Sequence, residues 1–281
     1  MRTKIIIEIG CNHNGSVDIA KRMIDDAVKL GAWAVKFQKR DPESMSPGEK
    51  LIPRNPDNSF GNNYYEHRKA LELSINQIQE LSIIAKNQGL ETIVSVFDMQ
   101  SARDCLKEKF KYIKLPSQFY SHYALNKLLD DAQSCCPVNV IVSTGMHSFS
   151  EVVNWQYFDA FPITLYCRSI YPFELKDFDF NYATSLKGRL KNSEFGYSSH
   201  DKEGQAIFYS VLIGAKYIER HYTLDKNMKG SDHKTVSSDF AEMQSIIQDI
   251  ERAEEMIYST NNIYDLFSDN EKHVRMIYRG F

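Results

Sequence analysis

Residues 4–38 decide the fold: Lys4-Ile5-Ile6-Ile7-Glu8-Ile9-Gly10, a helical run that stops at Gly31, then Trp33-Ala34-Val35-Lys36-Phe37-Gln38. Lys4–Ile9 is short, rich in isoleucine and nearly continuous in its apolar character, the pattern of a strand buried on both faces. Ile19, Met23, Ile24, Ala27, Val28 and Leu30 recur at helical spacing, with Ser16 or Asp18 near the N-cap and Gly31 as the stop. Trp33–Gln38 is again an apolar strand. One strand–helix unit has closed and the next has begun.

The alternation continues. Ile75, Ile78, Leu81, Ile84 and Ala85 mark a helix ending at Gly89, followed by a strand over Glu91–Phe97. A short helix from about Gln100 to Lys107 leads to Tyr112–Leu115, and another from about Tyr123 to Asp130 leads to Val138–Ser143. Pro162–Cys167, Glu194–Ser199 and Lys216–His221 read as further strands. A last helix carries Phe240, Met243, Ile246, Ile247, Ile250, Ala253 and Ile257 on one face. Eight strands alternating with helices predict an α/β fold, a single-domain (β/α)₈ TIM barrel over residues 1–258. An open doubly wound sheet is the alternative, but no G-x-G-x-x-G follows the first strand. Asp41–Ser74, with Pro42, Pro47, Pro53 and Pro56, is too long for a simple connection and reads as an elaborated loop of the kind that covers a site. Residues 259–281 read as a polar C-terminal tail.

Composition narrows the function classes. The 281 residues are 42% hydrophobic and 25% charged, enough to bury a core without disulfides or metals. Lys and Arg total 34 against 37 Asp and Glu, a net charge of -3, so nucleic acid is not the expected partner. No stretch reaches the roughly 18–20 apolar residues of a membrane span, and Glu8 interrupts the N-terminal apolar run too early for a signal peptide. Five scattered cysteines without a C-x-x-C pair argue against a disulfide framework or thiolate zinc site, and point to a reducing, cytoplasmic setting.

In a barrel the C-terminal strand ends share one mouth, where the site is built. Read off in order, those ends offer Glu8; Lys36 and Gln38; Asp98; Lys114 with Ser117; Ser143 and Thr144; Ser169 with Tyr171; Ser198 and His200; and Glu219 and His221. A lone Ser or Asp at a strand end is usually just solvated. A lysine inside an apolar strand is different, because an unpaired buried ammonium is costly. Lys36 and Lys114 converging on one mouth suit an anion, unless one of them simply pairs with Glu8. His200 and His221 end adjacent strands and suit a divalent metal, or equally a structural pair of hydrogen-bonded imidazoles. His13, His147 and His233 lie in mouth loops, where any could add a third ligand.

The ordered set Glu8-Ile9-Gly10-Cys11-Asn12-His13-Asn14-Gly15, Val35-Lys36-Phe37-Gln38, Ile113-Lys114-Leu115-Pro116-Ser117, Val142-Ser143-Thr144-Gly145-Met146, Cys167-Arg168-Ser169-Ile170-Tyr171-Pro172, Gly196-Tyr197-Ser198-Ser199-His200, Ile218-Glu219-Arg220-His221-Tyr222 and Gly230-Ser231-Asp232-His233 resembles the sialic acid (N-acetylneuraminate) synthase family across nearly the whole chain. The resemblance implies a (β/α)₈ transferase that condenses phosphoenolpyruvate with an open-chain N-acetylated amino sugar, giving a nonulosonic acid and phosphate. It implies that His200 and His221 hold Mn²⁺ or Mg²⁺. Lys36, Lys114, Ser117, Ser143, Ser169, Tyr171 and Ser198 would bind phosphoenolpyruvate. Glu8, Gln38, Glu219 and Asp232 would face the sugar, the metal-bound water or the reacting carbon, with Glu8 or Glu219 moving the proton. A synthase of another ulosonic acid, a metal-dependent aldolase, and a non-catalytic sugar- or partner-binding barrel are the other readings.

Departures from the family pattern carry their own expectations. Ser199 stands where Asp is common, removing a charge near the metal. Ser95-Val96-Phe97 replaces T-P-F, removing a hydroxyl near the phosphate. Gln118-Phe119-Tyr120 follows Ser117 in place of Gly and an acidic residue. The family's C-terminal antifreeze-like domain, which lends an arginine across a homodimer, is absent from the sequence. That arginine would come from a separate antifreeze-like protein, from Arg168 or Arg275, or not at all.

Overall fold

The computed structural model describes residues 2–170, 173–258 and 269–279. Eight parallel strands close into a barrel in sequence order: β1 Lys4–Gly10, β2 Ala34–Lys39, β3 Glu91–Val96, β4 Tyr112–Leu115, β5 Asn139–Ser143, β6 Ile163–Cys167, β7 Glu194–Ser199 and β8 Tyr217–His221. β8 pairs with β1 through the register Glu8–His221, and β1 pairs with β2 through Glu8–Lys36. The fold is therefore the expected TIM barrel.

Eight helices surround it: α1 Val17–Lys29, α2 Ile75–Asn87, α3 Met99–Lys107, α4 Tyr123–Cys135, α5 Phe149–Val153, α6 Phe180–Arg189, α7 Gln205–Ile213 and α8 Phe240–Tyr258. Local chemistry sets their starts. Ser16 caps α1 by accepting from the Ile19 amide at 3.3 Å, and Ser74 with Gln77 forms a reciprocal capping box at the start of α2. Asp98, one of the polar strand ends, turns away from the mouth. It caps α3 through the Ser101 amide at 2.7 Å and accepts the Asp41 amide at 2.7 Å.

The apolar stripes of the helices meet the outward strand faces: Ala20, Met23, Ile24 and Ala27 of α1 are fully buried, as are Ile5, Ile7 and Ile9 of β1 or nearly so. Each such Ile or Met side chain contributes about 1.5–3 kcal/mol. Between β2 and α2 the long loop folds into short turns at Pro42–Ser44, Pro47–Lys50 and Pro56–Asn58, then a helix over Tyr64–Leu71, stitched by an antiparallel bridge between Pro53 and Asn63. The expected polar tail contains a further helix, Asp269–Arg279, while residues 259–268 lie outside the described part. Among the described residues no helix is long and apolar enough to cross a membrane.

Candidate active site at the barrel mouth

Side chains alternate along a strand, so every second residue points into the barrel. The lower inward layer is dry: Ile6, Ala34, Ile93, Ile141, Ile163, Leu165 and Tyr217 pack against one another. Two residues further along the same strands stand Glu8, Lys36, Ser95, Ser143, Cys167 and Glu219, joined by Lys114 and Ser198; Gln38, His200 and His221 form the rim. All of them line one cavity of about 400 Å³. The apolar floor excludes water from below, and the polar layer opens only upward.

The two strand lysines are both buried and both paired. Lys36 Nζ lies 2.8 Å from Glu8 Oε2 and 3.6 Å from Glu219 Oε1, and it donates to Ser95 Oγ at 2.9 Å. Lys114 Nζ donates to Glu219 Oε1 at 2.5 Å, and Ser198 Oγ donates to the same oxygen at 2.9 Å. Gln38 Nε2 donates to Glu8 Oε1 at 2.8 Å. Burial opposes charge on Glu219, but Lys114, Lys36 and the Ser198 hydroxyl outweigh it and hold the carboxyl below its ordinary range. Burial likewise opposes charge on Lys36, and Glu219 and Glu8 overcome it and raise its affinity for the proton. Lys114, buried and crowded by Lys36, keeps its proton less firmly than a free lysine despite Glu219. Glu219 Oε2 is buried without a hydrogen-bond partner.

Beside the lysines the loops after β4, β5 and β6 converge. A Cβ added to Gly145 would fall on Ser169 Oγ, and would sit 2.7 Å from Cys167 Sγ and 2.8 Å from Ser117 Oγ. Only glycine lets the backbone approach these groups. Ser117 Oγ and Cys167 Sγ are 3.0 Å apart, and Ser143 Oγ is buried without a partner. Such a cradle of hydroxyls against a bare backbone is suited to an anion's oxygens.

His200 and His221 stand side by side, ring centroids 5.7 Å apart. Burial, with His221 and Lys114 nearby, lowers the His200 pKa to about 3, and burial also lowers that of His221, so both rings are neutral at pH 7. His200 Nδ1 lies 3.1 Å from the Arg168 carbonyl, which places its proton there and leaves Nε2 as the lone-pair nitrogen. His221 Nδ1 is buried with no hydrogen-bond partner. An orphaned neutral imidazole beside a second one fits two ligands of a divalent ion. Among the described residues no group of three His, Cys, Asp or Glu has metal-binding geometry, so water or substrate would complete the shell, as at an open catalytic site. The loop histidines are engaged elsewhere. His13 Nδ1 accepts from the Gly15 amide at 3.0 Å, His233 lies 2.7 Å from Thr223 Oγ1 and 3.1 Å from Asn14 Oδ1, and His147 lies 2.8 Å from the Gly145 carbonyl and 3.0 Å from Ser121 Oγ.

Residues 23–262 match the NeuB family. The chain belongs to that family. It is 32% identical over 292 residues to the N,N'-diacetyllegionaminic acid synthase of Legionella pneumophila, covering 98% of this chain and 78% of the relative. It is 32% identical over 257 residues to the N-acetylneuraminate-9-phosphate synthase of Homo sapiens, covering 89% and 70%. Among solved structures it resembles the N-acetylneuraminic acid synthetase of Leptospira borgpetersenii, crystallised with citrate, with a TM-score of 0.80 at 24% identity, covering all of this chain and 92% of that one. By family the chain is an enzyme of the sialic-type acid synthases.

Most positions expected from the NeuB pattern share the cavity: Glu8, Lys36, Gln38, Lys114, Ser117, Ser143, Ser169, Ser198, His200, Glu219, His221 and Asp232 all line it. Tyr171 lies outside the described residues. Two expected losses are not losses. Ser95 keeps a hydroxyl in the site, bonded to Lys36, because serine preserves the one group of threonine that matters there. Ser199 lies one residue out of phase with Ser198 and His200, so its hydroxyl faces out of the barrel, bonded to Asp201 and to buried Arg220 at 3.1 Å. No charge is removed from beside the histidines. Neither candidate source of an arginine lines the cavity. Arg168 faces a neighbouring pocket beside Gly145 and Tyr182, and Arg275 lies on the C-terminal helix. The arginines at the mouth are instead Arg40, Arg54 and Arg68, from the end of β2 and the loop above it. They are spread over a long segment of short turns and one helix, with no motif around them to read. The only pointer was the loop's length.

Proposed function

We propose that this NeuB-family enzyme condenses phosphoenolpyruvate with the open-chain aldehyde of an N-acylated amino sugar, releasing phosphate and forming a nonulosonic acid. The observation that carries this reading is the meeting of two buried lysines, a hydroxyl cradle and two neutral imidazoles in one cavity of about 400 Å³. Phosphoenolpyruvate brings a carboxylate and a phosphate. Lys36 and Lys114 are held in place by Glu8 and Glu219 before it arrives, and each ammonium retains donors for it. Ser117, Ser143, Ser169 and Ser198 supply further donors around Gly145, and Tyr171 joins them by family likeness.

Bond making proceeds from C3 of the enol to the aldehyde carbon, water adds at C2, and the C2–oxygen bond to phosphate breaks. His200 and His221 would hold a divalent ion, Mn²⁺ or Mg²⁺, which would supply Lewis-acid chemistry toward the acceptor aldehyde. Gln38 and Asp232 orient the sugar on the same side. Glu219 is placed to take the proton of the adding water on its unpartnered Oε2, although the lysines that keep it ionised also make it a weak base. Glu8 Oε1 accepts from Gln38 and Glu8 Oε2, without a hydrogen bond, lies 2.8 Å from Lys36 as an ion pair, whereas Glu219 Oε2 has neither, and the adjacent lysines keep Glu219 ionised. Glu8 then acts by fixing Lys36 and Gln38.

The test is phosphate release from phosphoenolpyruvate with Mn²⁺ and a panel of N-acetylated hexosamines, with the nine-carbon keto acid identified by mass. Release that requires an N-acetylated sugar is expected. Release with plain aldoses alone, or none at all, overturns the reading. His221→Ala should lose Mn²⁺ binding by calorimetry together with turnover, and Glu219→Gln should lose turnover while keeping phosphoenolpyruvate affinity. Wild-type turnover in the first variant removes the metal assignment.

A further inference from the structure

The two imidazoles of the mouth share a brace that lies outside the cavity. Arg220 sits on β8 between Glu219 and His221, so strand alternation turns its side chain away from the barrel interior. It is 1% exposed and does not line the cavity. A guanidinium this deep is costly to bury unless its donors are met, and here all three nitrogens donate. Nε donates to Ser238 Oγ at 3.0 Å, Nη1 to Ser199 Oγ at 3.1 Å and to the Asp201 carbonyl, and Nη2 to the Lys202 carbonyl at 3.3 Å. The counter-charge is the buried carboxylate of Asp201, whose Oδ1 lies 3.9 Å from Nη1.

The groups that Arg220 binds are the ones that carry the two histidines. Ser199 precedes His200, and Asp201 and Lys202 follow it, so these contacts clamp the chain on both sides of that ring. Asp201 is fixed in turn. Its Oδ1 accepts from Ser199 Oγ, and its Oδ2 accepts the Ala206 amide at 3.1 Å, at the start of α7. The contact to Ser238 reaches the other histidine: the Ser238 amide donates to the His221 carbonyl at 2.9 Å, and the Thr223 amide donates to the Ser238 carbonyl at 3.0 Å. One planar fork therefore ties the segment around His200 to the segment around His221. A lysine carries the same charge at a single point and cannot span both. The ring of His221 has no hydrogen bond of its own at Nδ1, which leaves its placement to the backbone. Two imidazoles bind one ion well only when their spacing is set beforehand, because any freedom left to them is lost on binding.

We propose that Arg220 is a positioning residue for the metal site. It presets the separation of His200 and His221 through the backbone, touching neither the ion nor the substrate. This rests on the reading that the two imidazoles hold a divalent ion.

The test is calorimetric titration with Mn²⁺, alongside urea unfolding, of the wild type, Arg220→Lys, Ser238→Ala and Met23→Ala. Met23 is fully buried on α1, and its truncation lowers stability without touching the brace. Arg220→Lys should weaken Mn²⁺ binding by about 10–100-fold, as loss of a group that orients a metal ligand does, while phosphoenolpyruvate affinity measured without metal holds. Ser238→Ala removes only the acceptor of Nε and should show a smaller loss in the same direction; where Arg220→Lys fails to fold, this variant alone decides. Met23→Ala should unfold at lower urea and keep wild-type Mn²⁺ affinity. Saturating Mn²⁺ should restore most of the turnover lost in Arg220→Lys. Wild-type Mn²⁺ affinity in folded Arg220→Lys and Ser238→Ala, or a loss of affinity in Met23→Ala as large as theirs, overturns the proposal. Wild-type Mn²⁺ affinity in His221→Ala would overturn the metal reading itself, whereas loss there with none in the Arg220 and Ser238 variants overturns this inference alone.

Discussion

The two ends of the cavity are built differently. At the lysine end every charged group sits on a strand, is fixed by barrel register, and meets an opposite charge within 2.5–2.8 Å. At the arginine end two of the three cations come from a long loop, and side chains without charge hold them. On the proposed reading, strands fix the part of the site that reaction chemistry constrains most tightly, and the loop would carry the part that sets which acceptor enters. The lysine end should therefore resist any change, while the arginine end should tolerate changes that alter selectivity alone.

The largest effect is expected at Lys114. Lys114→Met removes one donor to the anion and leaves Glu219 buried with only Lys36, at 3.6 Å, to oppose it. Breaking one partner of such a buried pair costs about 3–5 kcal/mol of stability. Loss of a donor to developing charge lowers kcat/KM for phosphoenolpyruvate by ~10²–10³. Urea unfolding and steady-state kinetics read both. A variant as stable as wild type would mean that the lysine end is not a coupled ion network, and the contrast between the ends would fail.

Gly145→Ala probes the same end without touching charge. The new methyl group would meet Ser169, Cys167 and Ser117, and overpacking of this kind costs about 1–3 kcal/mol. The KM for phosphoenolpyruvate should rise about tenfold, the equivalent of 1.4 kcal/mol, with sugar binding little changed. A rise confined to the sugar would move the cradle to the wrong substrate.

Much of this contrast was legible in the sequence, and unevenly so. β1 and β2 read correctly to within a residue because three consecutive isoleucines and Ala34-Val35 leave no other period to fit, and Gly10, at a φ of +56° beside the register shift between β1 and β2, marks the strand end. Lys36 and Lys114 stood out because an ammonium flanked by Val35 and Phe37, or by Ile113 and Leu115, has to be explained. Helices α5 to α7 were not legible. Phe149–Val153 is one turn and a half, and Gln205–Ile213 is apolar nearly all round, so neither shows an amphipathic stripe. Ser199 was misread because strand alternation, which turns it outward, was not applied to the motif around it. Arg40, Arg54 and Arg68 were missed because their meeting depends on how the loop folds over β2, with Arg54 brought back by the Pro53–Asn63 bridge. Nothing in the local sequence encodes that contact.

The smallest expected effect is also the most specific to the arginine end. Guanidiniums set against only one cavity-lining carboxylate repel one another, so packing must hold the loop in place against its own charge. Arg54→Gln should therefore leave unfolding unchanged or shift it upward by about 0.2–1 kcal/mol at low salt, and the gain should fade near 0.15 M salt, where the screening length is about 8 Å. Inorganic phosphate should reverse the order, because an anion bound only to the folded protein stabilises it in proportion to its occupancy, and the wild type has the stronger site. Unfolding curves for both proteins, with and without phosphate at fixed ionic strength, separate this from a simple packing change, which phosphate would not touch. If Arg54→Gln instead destabilises the protein at every salt and phosphate concentration, the arginine is a structural brace of the loop. The difference between the two ends would then be one of position alone.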